Sequence, residues 1–424
     1  MKKVLYFPDF FAFFCHEPVF SSPFPSIALT KIVKLAIIRA NKDKENTMER
    51  IYLDHAATTP LDKEILDKML PYFTTEYGNA DSPHAYGRAA MNAVDSARDK
   101  IAELLNAKPN EIYFTSGGTE SDNWAIYGAA HAQKEKGKDH VILSAIEHHA
   151  AKAAGEKLEK EGFFVTYVLP NEGGMVELNA IKTAITDKTG LIALMYVNNE
   201  TGVIQPVKEI AALAKQIGAV FFTDAVQAAP YLPLDVKALG VDMLSFSSHK
   251  IYGPKGCGAL YIRSGVRVKG LIVGGEQERG LRGGTTNVPA VVGFALAYEK
   301  NVLDMQENNE KIQRLRTLFL QEISDLDGVK INGEGVPALL NLRFEGVNAV
   351  DLVYAADLKG VCIAAGSACA SASIKPSHVL LAMGMDERAA KESVRISLGK
   401  DNTEAEIRKA ATEIKEIVRR LRAQ

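Results

Sequence analysis

Three residues of this 424-residue chain have types and settings that invite covalent chemistry: Lys250 in SFSSHKIYGPKG, Asp224 in FFTDAVQ and Cys369 in AAGSACASAS. Lys250 follows an apolar run, precedes a Gly/Pro loop and is flanked by Ser247 and His249. A lysine so placed can form a Schiff base with a carbonyl. Asp224 closes the nearly continuous apolar run AVFFTD. A carboxylate carried to that depth is costly unless a cation or a donor meets it. Cys369 sits among Ala, Gly and Ser, without the Leu, Phe or Val that usually wedge a structural cysteine. Its surroundings suit access to a thiol nucleophile.

Two further clusters complete a set. In TSGGTESDNWAI, Gly117 and Gly118 free the backbone and Thr119 adds a hydroxyl just before a helical stretch. A helix start offers unpaired N–H groups and a positive dipole to an anion such as phosphate, although the same residues also serve as an ordinary cap. In VILSAIEHHA, His148 and His149 fall at a strand end, as ring-facing imidazoles or as plain hydrogen-bonded surface groups. A Schiff-base lysine, an aspartate for a pyridine nitrogen, a glycine-rich phosphate loop and a histidine for the ring face are together what pyridoxal 5′-phosphate requires. The nucleotide fingerprint G-x-G-x-x-G occurs at no such strand-to-helix junction.

The elements that must position these groups are short β-rich runs alternating with helical patterns from residue 51 onward. EIYFTS, HVILSA, FFVTYVL, GLIALMYV, AVFFTDA, DMLSFSS and GALYIR read as strands. VKEIAALAKQIG reads as a helix closed by Gly218. The alternation predicts an α/β fold around a mostly parallel sheet. DMLSFSS followed directly by GALYIR predicts a hairpin, so the sheet should be mixed. After about residue 300, longer helices with few strands, such as ALLNLRF, predict a smaller α+β part. It closes on TEAEIRKAATEIKEIVRRLR, where Thr403 and Glu406 form a capping box and Ile407, Ala411, Ile414, Val418 and Leu421 one apolar stripe.

Composition fits this picture. Hydrophobic residues make up 47% and charged residues 24%, and 50 basic residues against 52 acidic ones leave a formal net charge of −2. No global field recruits nucleic acid or an anionic membrane, and no window is apolar and long enough to span a bilayer. The four cysteines, Cys15, Cys257, Cys362 and Cys369, are too few and too irregular for a disulfide framework or a C-x-x-C metal site. A reducing, cytoplasmic setting is expected, with no resident metal.

Residues 1–47 read differently, mixing aromatics, prolines and a basic tail without sustained period. Asp9 and Pro8 interrupt the apolar region, and no signal-peptidase-like site follows. Lys44-Glu45-Asn46-Thr47-Met48 can be encoded as a purine-rich ribosome-binding sequence, a spacer and a start codon. The expectation is a bacterial protein starting at Met48, with residues 1–47 a non-native, disordered leader.

From residue 51 to about 420 the chain resembles the cysteine desulfurases, within the pyridoxal phosphate-dependent class V aminotransferases. The resemblance rests on YLDHAATTP, TSGGTESDN, NNETGVIQPV, TDAVQ, SFSSHKIYGPKGCGALY, GGEQERGLRGGTTNV, GSACASAS and SVRISLG, in that order. It implies the aspartate aminotransferase-like fold, with a large cofactor-binding domain at 62–300 and a small domain from 48–61 and 301–424. It also implies that Lys250 bonds the cofactor and Asp224 meets the ring nitrogen. Gln227 then meets the ring hydroxyl and His148 stacks on the ring and shuttles protons. Gly118, Thr119, Ser247 and His249 hold the phosphate, with Thr285 supplied by the other subunit of a homodimer. Asn199, which also counts among the cofactor-binding residues, and Arg395 bind the substrate carboxylate.

By the same resemblance, Cys369 takes sulfur from L-cysteine as a persulfide, leaving alanine. The substrate amine and His148 are both candidates for accepting the thiol proton. GSACASAS followed by IKPSHVLLAMG resembles the group with the longer cysteine loop, which feeds iron–sulfur scaffolds or other sulfur acceptors. Cys369 would then be at most a transient iron–sulfur ligand. Where relatives carry Ser-Ser-Gly, this chain has Ala364-Ala365-Gly366, so any contact of that serine hydroxyl is lost. Two other readings stand beside this one. A selenocysteine lyase or another class V lyase or aminotransferase would share the cofactor site, but an aminotransferase has no use for Cys369. A non-catalytic scaffold has no need of Lys250, Asp224, Cys369 and Arg395 together.

Overall fold

In the computed structural model, residues 50–366 and 376–423 are described. The apolar runs that end in Ser144, Ala193, Asp224 and Ser247 become neighbouring strands of one seven-stranded sheet. Its strands are β2 (Ile112–Thr115), β3 (His140–Ser144), β4 (Phe164–Val168), β5 (Thr189–Ala193), β6 (Val220–Asp224), β7 (Met243–Ser247) and β8 (Gly258–Ile262). The order across the sheet is β2-β8-β7-β6-β5-β3-β4. Strands β3 to β7 run parallel, whereas β8 runs antiparallel to both β7 and β2. The mixed sheet and the β7–β8 hairpin expected from the sequence are both present.

Alternate side chains divide between two hydrophobic layers because the strand period is two. Ile142, Ile192, Phe221 and Leu244 enter one layer, with Ile210 and Phe294 from the helices Val207–Ile217 and Val288–Glu322. Leu143, Leu191, Phe222 and Met243 enter the other, with Trp124 and Leu158 from the helices Gly118–Lys134 and His149–Lys160. Helices on both faces explain why these strands are apolar throughout. The helix Val207–Ile217 ends as its sequence predicts, with Gly218 in the left-handed region at φ +66°.

A second sheet has the order β12-β10-β9, from Val329–Ile331 (β9), Leu339–Phe344 (β10) and Ser393–Ser397 (β12). The antiparallel β10–β12 register sets Asn341 opposite Arg395. The last helix, Glu404–Arg422, buries Ile407, Ala411, Ile414 and Val418, and the predicted Thr403–Glu406 capping box is formed. Such a cap contributes about 1 kcal/mol. Two residues near the start, Ile51–Tyr52 (β1), pair in parallel with Val361–Cys362 (β11). The segment after β1 is thereby tied to the C-terminal part of the chain. Among the described residues, no helix is long and apolar enough to cross a membrane.

Candidate active site

Parallel strands deliver their C-terminal ends to one edge, and ligands of open α/β sheets gather at that edge. Here β3, β5, β6 and β7 open onto a cavity of about 250 Å³. Ten of the residues singled out in the sequence line it: Gly118, Thr119, His148, Asn199, Asp224, Gln227, Ser247, His249, Lys250 and Arg395. Thr285 lies instead in a separate cavity of about 220 Å³, beside Ser116, Cys257 and Arg282. Cys369 is outside the described residues.

Lys250 ends a short helical turn, Ser248–Lys250, directly after β7. Its Nζ donates to the carbonyl oxygens of Ala56 and Ala57 at 2.5 and 2.8 Å. The loop after β1 is held beneath this turn by Thr59, whose N–H donates to His249 O at 2.9 Å. Gln227 Nε2 also donates to Ala56 O, at 2.7 Å.

Asp224, at the end of β6, is buried and accepts the Val226 N–H at 2.8 Å. Burial raises its pKa, while that N–H and the Lys250 charge pull it back. Two more buried carboxyls lie within its electrostatic reach. Asp122 accepts from Ser245 Oγ at 2.5 Å, and burial together with the Asp224 charge holds its pKa well above the carboxylate range. Glu147 accepts from Ser144 Oγ at 2.6 Å and from Met195 N–H at 2.8 Å, and burial pushes it up to about 8. Like charges crowded in a low dielectric do not ionise together. Asp224, which has a cation and a backbone donor, is the member that carries the charge.

His148 caps the helix His149–Lys160, its Nδ1 accepting the Ala150 N–H at 3.2 Å. That contact leaves Nε2 as the protonated ring nitrogen. Burial, then the nearby Lys250, His149 and His378, lower its pKa to about 4, so the imidazole is neutral at neutral pH. His249 is lowered to about 4 as well, by burial and then by Lys250 and Lys255, and its Nδ1 lies 3.1 Å from Thr58 Oγ1. His149 stacks obliquely on His378 at 4.8 Å rather than lining the cavity.

Whether this set fits pyridoxal phosphate is decided at the anion end. Ser247 Oγ is buried with no hydrogen-bond partner among the described residues. It faces Gly117, whose φ of +149° suits glycine and opens the 17-residue helix Gly118–Lys134. A Cβ on Gly118 would come within 2.8 Å of Val226 Cγ2 and narrow the cradle. An orphaned hydroxyl beside unpaired helix-start N–H groups suits a phosphate. At the other end a lysine and a buried carboxylate suit the aldehyde and ring nitrogen of the same molecule. The residues fit the cofactor.

Asp122, Glu147 and Asp54 also stand at or beside the site, outside the residues that the sequence points to. Asp122 stands in TSGGTESDN, one helical turn beyond Gly118, so helical spacing is the available signal. Glu147 precedes His148 and gave none. Asp54, within YLDHAATTP, accepts from Arg395 Nη2 at 2.8 Å, while Arg395 Nη1 donates to Asn199 O at 2.8 Å.

Residues 51–409 match the family described as aminotransferase class-V. A protein of Clostridium botulinum named cysteine desulfurase IscS is 46% identical over 365 residues, covering 85% of this chain and 92% of its own length. A protein of Methanosarcina thermophila with the same name is 44% identical over 385 residues, covering 90% and 95%. Among solved structures, a NifS-like protein superposes with a TM-score of 0.83 at 37% identity, over 88% of this chain and all of that one. The structure titled SspA in complex with cysteine gives 0.75 at 37% identity, over 84% of this chain and all of that one. With its lysine, its buried aspartate and its phosphate cradle converging on one cavity, the chain belongs to the pyridoxal phosphate-dependent class V aminotransferase family, among the cysteine desulfurases.

Proposed function

We propose that this chain removes sulfur from L-cysteine, giving L-alanine and a persulfide on Cys369. The observation that carries the reading is the convergence of Lys250, Asp224, His148, Ser247 and Arg395 on one cavity at the sheet edge. Gly118, Thr119, Ser247 and His249 would hold the cofactor phosphate, Asp224 the ring nitrogen, Gln227 the ring hydroxyl and His148 the ring face. When bound, pyridoxal phosphate supplies a carbonyl for the substrate amine and a ring that draws electrons from the substrate α-carbon. Arg395, buried and oriented by Asp54 and Asn199 O, is suited to the substrate carboxylate. Lys250 takes the proton from the α-carbon. The neutral His148 has Nε2–H to donate and, once that proton has left, a site to receive one.

Cys369 acts as thiolate, because the thiol is a poor nucleophile. It bonds to the substrate sulfur as the carbon–sulfur bond breaks, and the bond electrons stay with the substrate carbon, which is then protonated. Thiol plus L-cysteine gives persulfide plus alanine, with no external oxidant. The sulfur acceptor is inferred to be a protein of iron–sulfur assembly, a reading supported by the longer GSACASAS loop pattern. A homodimer in which Thr285 completes the partner's phosphate site is inferred from RGGTTNV, and its place outside this chain's own cavity accords with that. The division into 62–300 and 48–61 with 301–424 is supported by the β1–β11 pairing.

The test is to incubate purified protein with L-cysteine and assay alanine, with sulfide after adding a reductant. Equal yields of both are expected, together with one added sulfur atom on the Cys369 peptide when reductant is absent. Pyruvate or a keto acid in place of alanine would favour another class V lyase or an aminotransferase.

A further inference from the structure

The segment that carries Thr285 is held to its own chain by two forked ion pairs, one to Glu120 beside the phosphate loop and one to Arg98 of the helix Ala85–Leu104. Arg282 donates from Nε and Nη2 to the two carboxylate oxygens of Glu120, at 2.9 and 3.0 Å. Glu120 Oε2 also accepts the Ser116 N–H at 2.8 Å. Glu120 follows Thr119 in the first turn of the helix Gly118–Lys134, so one carboxylate closes the loop from Ser116 to Thr119. A forked pair fixes direction as well as distance.

On the other side, Glu278 accepts from Arg98 Nη1 and Nη2 at 2.8 and 2.9 Å and from the Phe114 N–H at 3.2 Å. Phe114 belongs to β2, the edge strand that runs into the loop. Ile112 O, also on that edge, accepts from Arg98 Nη1 at 2.7 Å and Arg279 Nη2 at 2.8 Å. Glu278 and Arg279 have φ of +46° and +59°. Consecutive side-chain-bearing residues in the left-handed region persist only where their surroundings over-determine them, and these contacts do so.

We infer that Arg282 and Glu120 are positioning residues for the cofactor phosphate: Glu120 fixes the Ser116–Thr119 loop, and Arg282 cancels the Glu120 charge beside the incoming dianion. The inference rests on the pyridoxal phosphate reading of the cavity. A carboxylate at a helix start favours the helix dipole but repels a bound anion. Paired with Arg282, Glu120 keeps its hold on the Ser116 N–H without that repulsion. Two consequences separate this role from simple packing. Loss of Arg282 should harm binding only of ligands that carry the phosphate. Neutralising Glu120 in the same chain should restore much of what was lost, because a glutamine oxygen can still accept the Ser116 N–H.

The test strips the full-length chain of cofactor and titrates it with pyridoxal phosphate and, separately, with pyridoxal, which keeps the ring and aldehyde but lacks the phosphate. Wild type, Arg282→Gln, Glu120→Gln and the double variant are compared by absorbance. Arg282→Gln should weaken pyridoxal phosphate binding at least about tenfold while leaving pyridoxal within about twofold, and the double variant should recover most of the loss. Unchanged pyridoxal phosphate affinity in Arg282→Gln would overturn the inference. So would an equal loss for both ligands, or a double variant no better than Arg282→Gln. A wild type that binds no pyridoxal phosphate would overturn the reading of the cavity itself, a result distinct from these.

Discussion

Arg395 Nη2 lies 2.8 Å from Asp54 Oδ1, joining β12 to the loop after β1 across 341 positions of sequence. The guanidinium is only 1% exposed, and its Nε has no partner among the described residues. A buried guanidinium in this position needs a carboxylate, and Asp54 supplies it while Asn199 O fixes the other amino group. The group proposed to receive the substrate is therefore oriented before substrate arrives.

Asp54→Ala leaves Arg395 buried without its counter-charge. Breaking one side of a buried pair costs about 3 kcal/mol, so the variant should unfold at distinctly lower denaturant concentration. In enzyme that remains folded, KM for L-cysteine should rise about tenfold with a smaller change in kcat, as expected for lost substrate positioning. Asp54→Asn, which keeps an acceptor oxygen, should fall between the two. Steady-state kinetics and denaturant titration on the three proteins check this.

The buried carboxyl of Glu147 and the buried imidazole of His148 titrate in opposite directions. Glu147, raised to about 8, favours the folded state while protonated, and that contribution is lost as pH rises from the unfolded range near 4.5 through 8. His148, lowered to about 4, is neutral when folded, so its contribution is lost as pH falls from about 6.5 through 4. Glu147→Gln, which mimics the protonated carboxyl, should therefore stabilise the protein at pH 8 by an amount on the order of a few kcal/mol and much less at pH 5. Thermal unfolding across this range should show the wild-type slope flattened in the variant. An identical slope would place the titration elsewhere.

Much of this arrangement was legible because strand ends announce themselves. Asp224 ends a run of apolar residues, Ser247 and Lys250 follow another, and in a parallel sheet such ends share one edge. What was not legible depends on residues distant in sequence. Ile51–Tyr52 is too short to show a strand period, and it becomes β1 only because Val361–Cys362 returns beside it. Glu147 gave no signal because its buried carboxyl is met by the Met195 N–H, 48 positions away. The place of Thr285 away from this chain's cavity was expected from the resemblance carried by RGGTTNV, not from the residue itself.

Lys250→Ala should give a protein that folds but lacks the visible absorbance of bound cofactor and essentially all turnover. Its Nζ bonds to the Ala56 and Ala57 carbonyls are among its contacts, and they meet a loop also held by Thr59 and Gln227. The loop keeps these other holds without the lysine, whereas the covalent hold on a carbonyl depends on it. Absorbance spectra and alanine assays check both halves, and a variant with near wild-type turnover would remove Lys250 from the proposed chemistry.

Cys369→Ser separates the two halves of the proposed reaction. In the proposed reaction, substrate capture and loss of the α-proton are assigned to Lys250, Asp224, His148 and Arg395, all of which line the cavity and none of which the substitution alters. Sulfur removal needs a nucleophile that a serine hydroxyl, with its far higher pKa, cannot replace at neutral pH. The variant should bind pyridoxal phosphate and change its spectrum on addition of L-cysteine, yet form no protein persulfide and almost no alanine. Wild-type protein treated briefly with L-cysteine should gain its sulfur atom on the peptide containing Cys369. Cys257 is a poor alternative, since it is buried and burial pushes its pKa up to about 12. Cys362 is raised by burial as well and lies in β11. A persulfide found by mass spectrometry on Cys257 or Cys362, or full desulfurase activity in Cys369→Ser, would remove Cys369 from the role of sulfur acceptor.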